Sequence, residues 1–285
     1  MNTIQQHPDP KTDPEFRSRQ LKDYFSKMGH AIIAYSGGVD SALLAHSAHL
    51  ALDDNMLAVL ADSPSLSRRE YRHAVNFAQQ HGIPLQIIRT TEMEDPRYLA
   101  NPANRCYYCK KALFDRIEEL RKDLTQSVEN SAWPIFYGVN LDDMGDFRPG
   151  IQAAEEASIL APYVELGFDK NTIRAISEHF KLEIAAKPAM PCLSSRIQYG
   201  EDVTVEKLNQ VEQAEDFLYD LGFRILRVRH HGDTARIEIP PENFGTLIQH
   251  KDKIREKFHE LGFAYVSMDL DGFKSGSLNA VLKLA

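Results

Sequence analysis

Cysteine is scarce in this chain: Cys106, Cys109 and Cys192 are the only three among 285 residues. An odd number of thiols with no export signal argues against a disulfide framework, and a C-x-x-C pair then reads as metal-binding or redox-active. Long apolar runs are missing as well. No stretch approaches the ~20 consecutive apolar residues of a membrane-spanning helix. The opening MNTIQQHPDPKTDPEF is polar and proline-broken, without the apolar region of a secretory signal. A cytoplasmic protein with no membrane partner is expected, and residues 1–15 read as a disordered tail. Positive charge is also in deficit. A net charge of −8 argues against a nucleic-acid partner, because binding to a phosphate backbone draws on clustered Lys and Arg. With 43% hydrophobic and 26% charged residues, the composition is that of a globular protein with one large or two moderate domains.

Strand and helix patterns alternate along the first half. A helical spacing from Phe16 to His30 leads into the apolar strand Ala31 to Tyr35, a glycine pair, and an apolar helix opening at Ser41. MLAVLADS reads as a strand, Ser67 to His81 as a helix, IPLQIIRT as a strand, Cys109 to Lys122 as a helix, and PIFYGVN as a strand. Such alternation implies parallel β-α-β units with ligands beyond the C-terminal strand ends. Residues 146–200 read as helix and loop without a clear strand. A second unit follows: a helix from Val203 to Leu221, strands RILRVRH and TARIEIP around the turn HGD, a helix from Glu242 to Leu261, and strand FAYVSMDL. Both helices run into LGF before a strand, a weak sign of two similar halves.

The sharpest motif is SGGVDS, Ser36 to Ser41. Gly37 and Gly38 allow backbone N–H groups to point inward, the following helix adds the positive end of its dipole, and the Ser36 and Ser41 hydroxyls add donors, so the turn suits a phosphate chain. It lacks the lysine of the longer Walker loop. A tight turn with a capping serine is the bland alternative. Asp40 reads either as a loop-orienting or Mg²⁺-approaching acid, or as an ordinary helix N-terminal acid. Asp62 and Ser63 end the second strand where nucleotide contacts are expected by position, or merely start the next turn. Gly138, Asn140, Asp142 and Asp143 follow the fourth strand, with Asp146 and Arg148 continuing the turn. The paired acids there read as Mg²⁺ ligands or as a solvated turn.

SGGVDS resembles the pyrophosphate-binding loop of the N-type ATP pyrophosphatases, enzymes that adenylylate an oxygen, release pyrophosphate and let a nitrogen or sulfur nucleophile displace AMP. Four further stretches narrow the resemblance: NRCYYCK (104–110), GVNLDDMGDFRPG (138–150), PCLSSRIQYG (191–200) and DLDGFKSGSLN (269–279). Together they resemble the LarE family, the ATP-dependent sulfur transferases that build the nickel-pincer nucleotide cofactor of lactate racemase. The resemblance runs from about residue 16 to the end. It implies an α/β fold, a Rossmann-like parallel sheet of the adenine nucleotide α-hydrolase (PP-loop) type over residues 16–200, with a smaller C-terminal α/β domain over 201–285.

It also implies ATP and Mg²⁺, held around Ser36, Gly37, Gly38, Asp40, Ser41, Asp62, Ser63 and Gly138, and a small nucleotide substrate bearing carboxylates. Two sulfur sources exist in the family. Cys106, Cys109 and Cys192 would hold a [4Fe-4S] cluster with one open iron for a sulfide; alternatively Cys192 gives up its own sulfur. A zinc site would need a fourth ligand, and no His is near either cysteine segment in sequence. Arg105, Lys110 and Lys111 would favour thiolates.

Arg227 and Arg229 share one face of their strand, and Arg236 and Glu238 pair on the facing strand, where arginines suit phosphate and carboxylates or simply form a solvent face. The resemblance favours substrate binding, with Arg196 near the sulfur. His230 and His231 read as strand-end surface residues, and the SGS at 275–277 as a loop. Family peers are homo-oligomers, so a homo-oligomer is expected. The rivals are tRNA thiolation, an ammonia-using amidotransferase partner, and a non-catalytic sensor of nucleotide and cluster.

Overall fold

Apolar runs of four to six residues alternating with longer amphipathic segments produce the element order of this protein. The computed structural model describes residues 13–127, 132–145, 148–188 and 190–274. Residues 1–12 of the expected tail, Asp146 and the SGS at 275–277 lie outside the described residues. In chain order the elements are α1 (Pro14–Met28), β1 (Ala31–Tyr35), α2 (Val39–Leu52), β2 (Met56–Ala61), α3 (Arg68–Gln80), β3 (Leu85–Ile88), α4 (Pro96–Leu99), α5 (Arg105–Ser127) and β4 (Ile135–Tyr137). There follow α6 (Pro149–Glu156), α7 (Pro162–Glu165), α8 (Lys170–His179), α9 (Val205–Asp220), β5 (Arg227–His231), β6 (Thr234–Glu238), α10 (Phe244–Gln249), α11 (Lys251–Glu260) and β7 (Tyr265–Met268).

The chain divides into two compact units. One comprises Met1–Asp62, Arg68–Thr90 and Cys106–Met190; the other comprises Ser63–Ser67, Thr91–Arg105 and Pro191–Ala285.

The first unit is an α/β Rossmann-like layer built on a four-stranded parallel sheet in the order β3-β2-β1-β4. β1 is buried along almost its whole length, as expected of a central strand of a parallel sheet covered on both faces. From β1 the chain steps to β2 on one side of the sheet and later to β4 on the other. The crevice beyond the carboxyl ends of β1 and β4 is therefore the topological switch point. α2, apolar on nearly every side, packs against β1, α1 and α8. Ile32, Val59, Phe114, Ile117 and Ile135 form the core between the sheet and α5.

The helix expected from Cys109 starts at Arg105, so both cysteines of the pair lie inside it. Tyr107, just ahead of the expected start, packs against that core, which extends the helical face one turn back.

In the second unit β5 and β6 pair antiparallel and β6 and β7 parallel. The helix expected over 242–261 is two helices, broken at His250, where φ is −95° and ψ 6°. The repeated LGF has a structural origin. Gly222 and Gly262 stop their helices with φ of 102° and 96°, and the next N–H groups, of Phe223 and Phe263, reach back to the Leu218 and Phe258 carbonyls at 3.2 and 3.1 Å. Both phenylalanines then enter the core beside Val228 and Ile237. This is the Schellman pattern, with glycine supplying the left-handed residue that other residues adopt at a cost.

Candidate functional site

In the first unit the β1–α2 turn is closed on itself. The Ser36 N–H donates to Ser41 Oγ at 3.1 Å, the two hydroxyl oxygens are 3.1 Å apart, and Ser41 Oγ reaches the Gly38 carbonyl at 3.2 Å. Gly37 has φ of 72°, and a Cβ there would stand 2.5 Å from Ala74 Cβ on α3. Gly138, just after β4, lies so close that a Cβ would meet the Asp40 carbonyl carbon and the Ser41 nitrogen at 3.0 Å each. The loop thus sits at the switch point with glycine backbone on both sides, and α2 opens behind it with its N–H groups facing the crevice.

Asp40 is gripped from α7 and α8. Its carboxylate pairs with the Lys170 ammonium, and its carbonyl accepts the Tyr163 hydroxyl at 2.8 Å. Burial raises the Asp40 pKa above the usual carboxylate value, and Lys170 opposes that rise without cancelling it. Oδ1 of Asp40 is buried with no hydrogen-bond partner among the described residues. Lys187 donates to the Gly37 carbonyl at 2.9 Å and pairs with Glu70 on α3 at 2.7 Å.

The acids after β4 are engaged within the protein: Asp142 accepts the Lys170 N–H at 2.7 Å, and Asp143 accepts the Asn140 N–H at 3.1 Å and pairs with Arg148 at 2.9 Å. Asp62 pairs with Arg68 at 2.7 Å.

In the second unit Ser63 is buried, its hydroxyl donating to Glu92 and lying 3.0 Å from Ser65 Oγ. The Ser65 carbonyl holds the Leu193 N–H at 2.8 Å, Tyr98 Oη lies 2.6 Å from Ser194 Oγ, and Arg105 reaches the Ser194 carbonyl at 2.8 Å. The Pro191–Arg196 loop is therefore pinned from behind. Arg196 grips it from within, donating to the Pro191 and Cys192 carbonyls at 2.5 and 3.2 Å while binding Glu215 through two nitrogens. Burial would lower the Arg196 pKa, but Glu215 foremost, then Cys192 and Glu238, together outweigh it and the value lies above that of ordinary arginine. Cys192 is half-buried at the start of the short 3-10 turn Leu193–Arg196.

The facing strands set Arg227 opposite Glu238 and Arg229 opposite Arg236. This is no solvent face: Arg229 and Glu238 are fully buried in a two-bonded pair of 2.9 and 2.8 Å. Arg236 adds a bond to Glu238 at 3.0 Å and approaches Asp269 at 3.4 Å. Arg227 lies over the Phe273 ring at 5.0 Å, and burial, with Arg196 and Arg229 adding repulsion, lowers its pKa to about 10. Among the described residues, Arg196, Arg227, Arg229 and Arg236 are thus gathered about Glu215, Glu238 and Asp269.

Cys106 and Cys109 lie three residues apart on α5, on one helical face. Among the described residues no group of three or more His, Cys, Asp or Glu side chains is gathered to hold a metal ion. The two histidines expected at the surface part company, as alternation requires. His230 falls on the core face with Val228 and is buried beside Phe263, 3.1 Å from Gln210 Oε1, whereas His231 meets Gln198 Oε1 at 2.7 Å.

Lys170, Lys187, Glu70 and Glu215 belong to none of the sequence motifs. Glu215 left a signal: it interrupts the buried face Leu208, Val211, Ala214, Leu218 of α9, a charge at a core position. Lys170 directly follows Asp169, which caps α8 by accepting the Thr172 N–H at 2.7 Å, so its place at a helix start was legible but its partner was not.

The NAD synthase family model matches residues 16–98. A pyridinium-3,5-bisthiocarboxylic acid mononucleotide synthase of Lactiplantibacillus plantarum is 34% identical over 89% of this chain and 90% of its own length. An uncharacterized protein of Synechocystis is 44% identical over 94% and 98%. A glutamine-hydrolyzing GMP synthase component of Thermoplasma acidophilum is 27% identical over 70% and 67%.

Proposed function

This chain belongs to the LarE family of ATP-using sulfur transferases, and on that basis we propose that it adenylylates a carboxylate of a pyridinium dicarboxylate mononucleotide and converts it to a thiocarboxylate. The observation that carries the ATP step is the SGGVDS turn at the β1/β4 switch point, closed by Ser41 and backed by Gly138. The substrate is supported by similarity over nearly the whole chain to a synthase named for a bisthiocarboxylic mononucleotide. The guanidinium groups of Arg227, Arg229 and Arg236, gathered on the facing strands β5 and β6, suit its phosphate and carboxylates.

In the first step a substrate carboxylate oxygen bonds to the α-phosphorus of ATP, and the bond from that phosphorus to the departing pyrophosphate breaks, its electron pair leaving with pyrophosphate. The amides and hydroxyls of Ser36 to Ser41 hold the leaving group. Mg²⁺, when bound, would neutralise phosphate charge; the buried, unbonded Oδ1 of Asp40 fits a ligand for it. In the second step sulfur bonds to the acyl carbon and AMP departs.

For the sulfur source, Cys106, Cys109 and Cys192 would hold a [4Fe-4S] cluster, which when bound would leave one iron open for a sulfide. The two thiols on one face of α5 support it. The grip of Arg196 on the Cys192 carbonyl favours a second reading, in which Cys192 is its own donor. Its thiolate then displaces AMP, the Cα proton is lost and the Cβ–S bond breaks, leaving thiocarboxylate and dehydroalanine. In either form the enzyme works in the cytoplasm as a homo-oligomer on a small nucleotide.

The test is incubation with ATP, Mg²⁺ and the mononucleotide. AMP, pyrophosphate and a sulfur-for-oxygen exchange in the nucleotide are expected, and ATP left intact refutes the reading. Iron and sulfide in anaerobic protein, lost in Cys106→Ala, identify the cluster; a protein mass reduced by one H₂S after turnover identifies the sacrificial cysteine.

A further inference from the structure

Lys187 belongs to no motif that the sequence singled out, yet its side chain is among the more buried of the charged groups in the first unit, 14% exposed. Its ammonium donates to the Gly37 carbonyl at 2.9 Å and pairs with Glu70 at 2.7 Å. Its backbone is fixed as well. The Lys187 N–H donates to the Ile184 carbonyl at 3.0 Å, and Arg174 donates to the Lys187 and Ala185 carbonyls at 3.0 and 2.5 Å.

We propose that Lys187 is a positioning residue of the nucleotide loop, setting the orientation of the Gly37–Gly38 peptide so that the Gly38 N–H serves the pyrophosphate group. The proposal rests on the ATP-activation reading above. In a planar trans peptide the C=O and the following N–H point in opposite directions. Fixing the Gly37 carbonyl on a cation therefore aims the Gly38 N–H away from Lys187. Glycine is the residue least able to hold one orientation unaided, because both signs of φ are open to it. Here the Gly37 Cα is backed by Ala74, one turn along α3 from Glu70, so a single helix face supports the loop directly and through the lysine. Glu70 in turn keeps the buried ammonium compensated when no nucleotide is bound.

The experiment measures binding of inorganic pyrophosphate and of ATP to the full chain by calorimetry, with the rate of pyrophosphate release as a function of ATP. The variants are Lys187→Met, Lys187→Arg and the doubly neutral Lys187→Met/Glu70→Gln. Lys187→Met is expected to weaken pyrophosphate binding about tenfold or more and to raise KM for ATP more than it lowers kcat, because an unfixed peptide must be ordered on binding. Lys187→Arg, which can still donate to the carbonyl, restores most of the affinity. The double variant leaves no uncompensated buried charge, so it melts near the wild type while remaining as weak as Lys187→Met; a merely structural lysine would instead recover binding there. Unchanged pyrophosphate affinity in either methionine variant overturns the proposal alone. Wild-type protein that binds neither pyrophosphate nor ATP overturns the ATP-activation reading and the proposal with it.

Discussion

Glu215 binds Arg196 through both carboxylate oxygens, at 2.9 and 3.1 Å, and the same Oε1 accepts the Val228 N–H at 3.0 Å. One acid on α9 therefore fixes both the loop that carries Cys192 and the first residues of β5. Because Arg196 is 1% exposed, its charge has no water to fall back on if Glu215 is removed. Breaking one partner of such a pair costs about 3–5 kcal/mol. Glu215→Ala is expected to lower unfolding stability by that amount in denaturant titration. Arg196→Met/Glu215→Leu, which removes both charges, should cost clearly less; equal losses would show that the pair is not what holds this loop.

The glycines of the nucleotide turn make a second prediction. Gly37→Ala places a Cβ 2.5 Å from Ala74 Cβ at a φ of 72°, and Gly138→Ala places one 3.0 Å from Asp40 and Ser41 backbone. Adding Ala74→Gly relieves the first clash but leaves the left-handed strain, about 1–2 kcal/mol. Each single variant should lose ATP affinity in equilibrium binding. Ala74→Gly is expected to rescue Gly37→Ala only in part and Gly138→Ala not at all.

His46 provides a pH dependence. It packs 5.2 Å from both the His81 and the Phe180 rings, and its Nδ1 is buried without a hydrogen-bond partner among the described residues. Burial first, then repulsion from His81 and His49, lowers its pKa from 6.5 to about 4, against a weaker opposing pull from Glu183. A depressed pKa means that the unfolded chain takes up the proton first. The stability contribution of neutral His46 is whole above pH 6.5 and falls away as pH drops toward about 4. His46→Phe should flatten the melting temperature across that window relative to wild type, with little difference at neutral pH. Parallel curves for the two proteins would refute this.

Arg227 is the guanidinium whose ionisation burial and its arginine neighbours disfavour, with a pKa lowered to about 10. Holding it charged costs the unliganded protein, and an anion arriving beside it would offset that cost. Arg227→Met is therefore expected to leave the melting temperature unchanged or higher while weakening binding of the anionic mononucleotide about tenfold or more, ~1.4 kcal/mol. A destabilised variant with normal substrate affinity would make the residue structural.

The parallel α/β layer, the nucleotide turn and the helix-stopping LGF repeats were legible in the sequence, because each is written in residues a few places apart. Strand alternation, a glycine pair between an apolar strand and a helix, and a glycine past a helix end act through local sterics and backbone hydrogen bonding. What these parts touch emerged with the folded chain alone. Lys170 meets Asp40 across 130 residues, and Lys187 meets the Gly37 carbonyl across 150. Folding also turned the arginine face of β5 and β6 from a plausible solvent face into a buried, charge-paired cluster. Solvation is the reason: alternation says which residues share a face, but whether their charges stay in water or must find partners depends on what the rest of the chain lays over them.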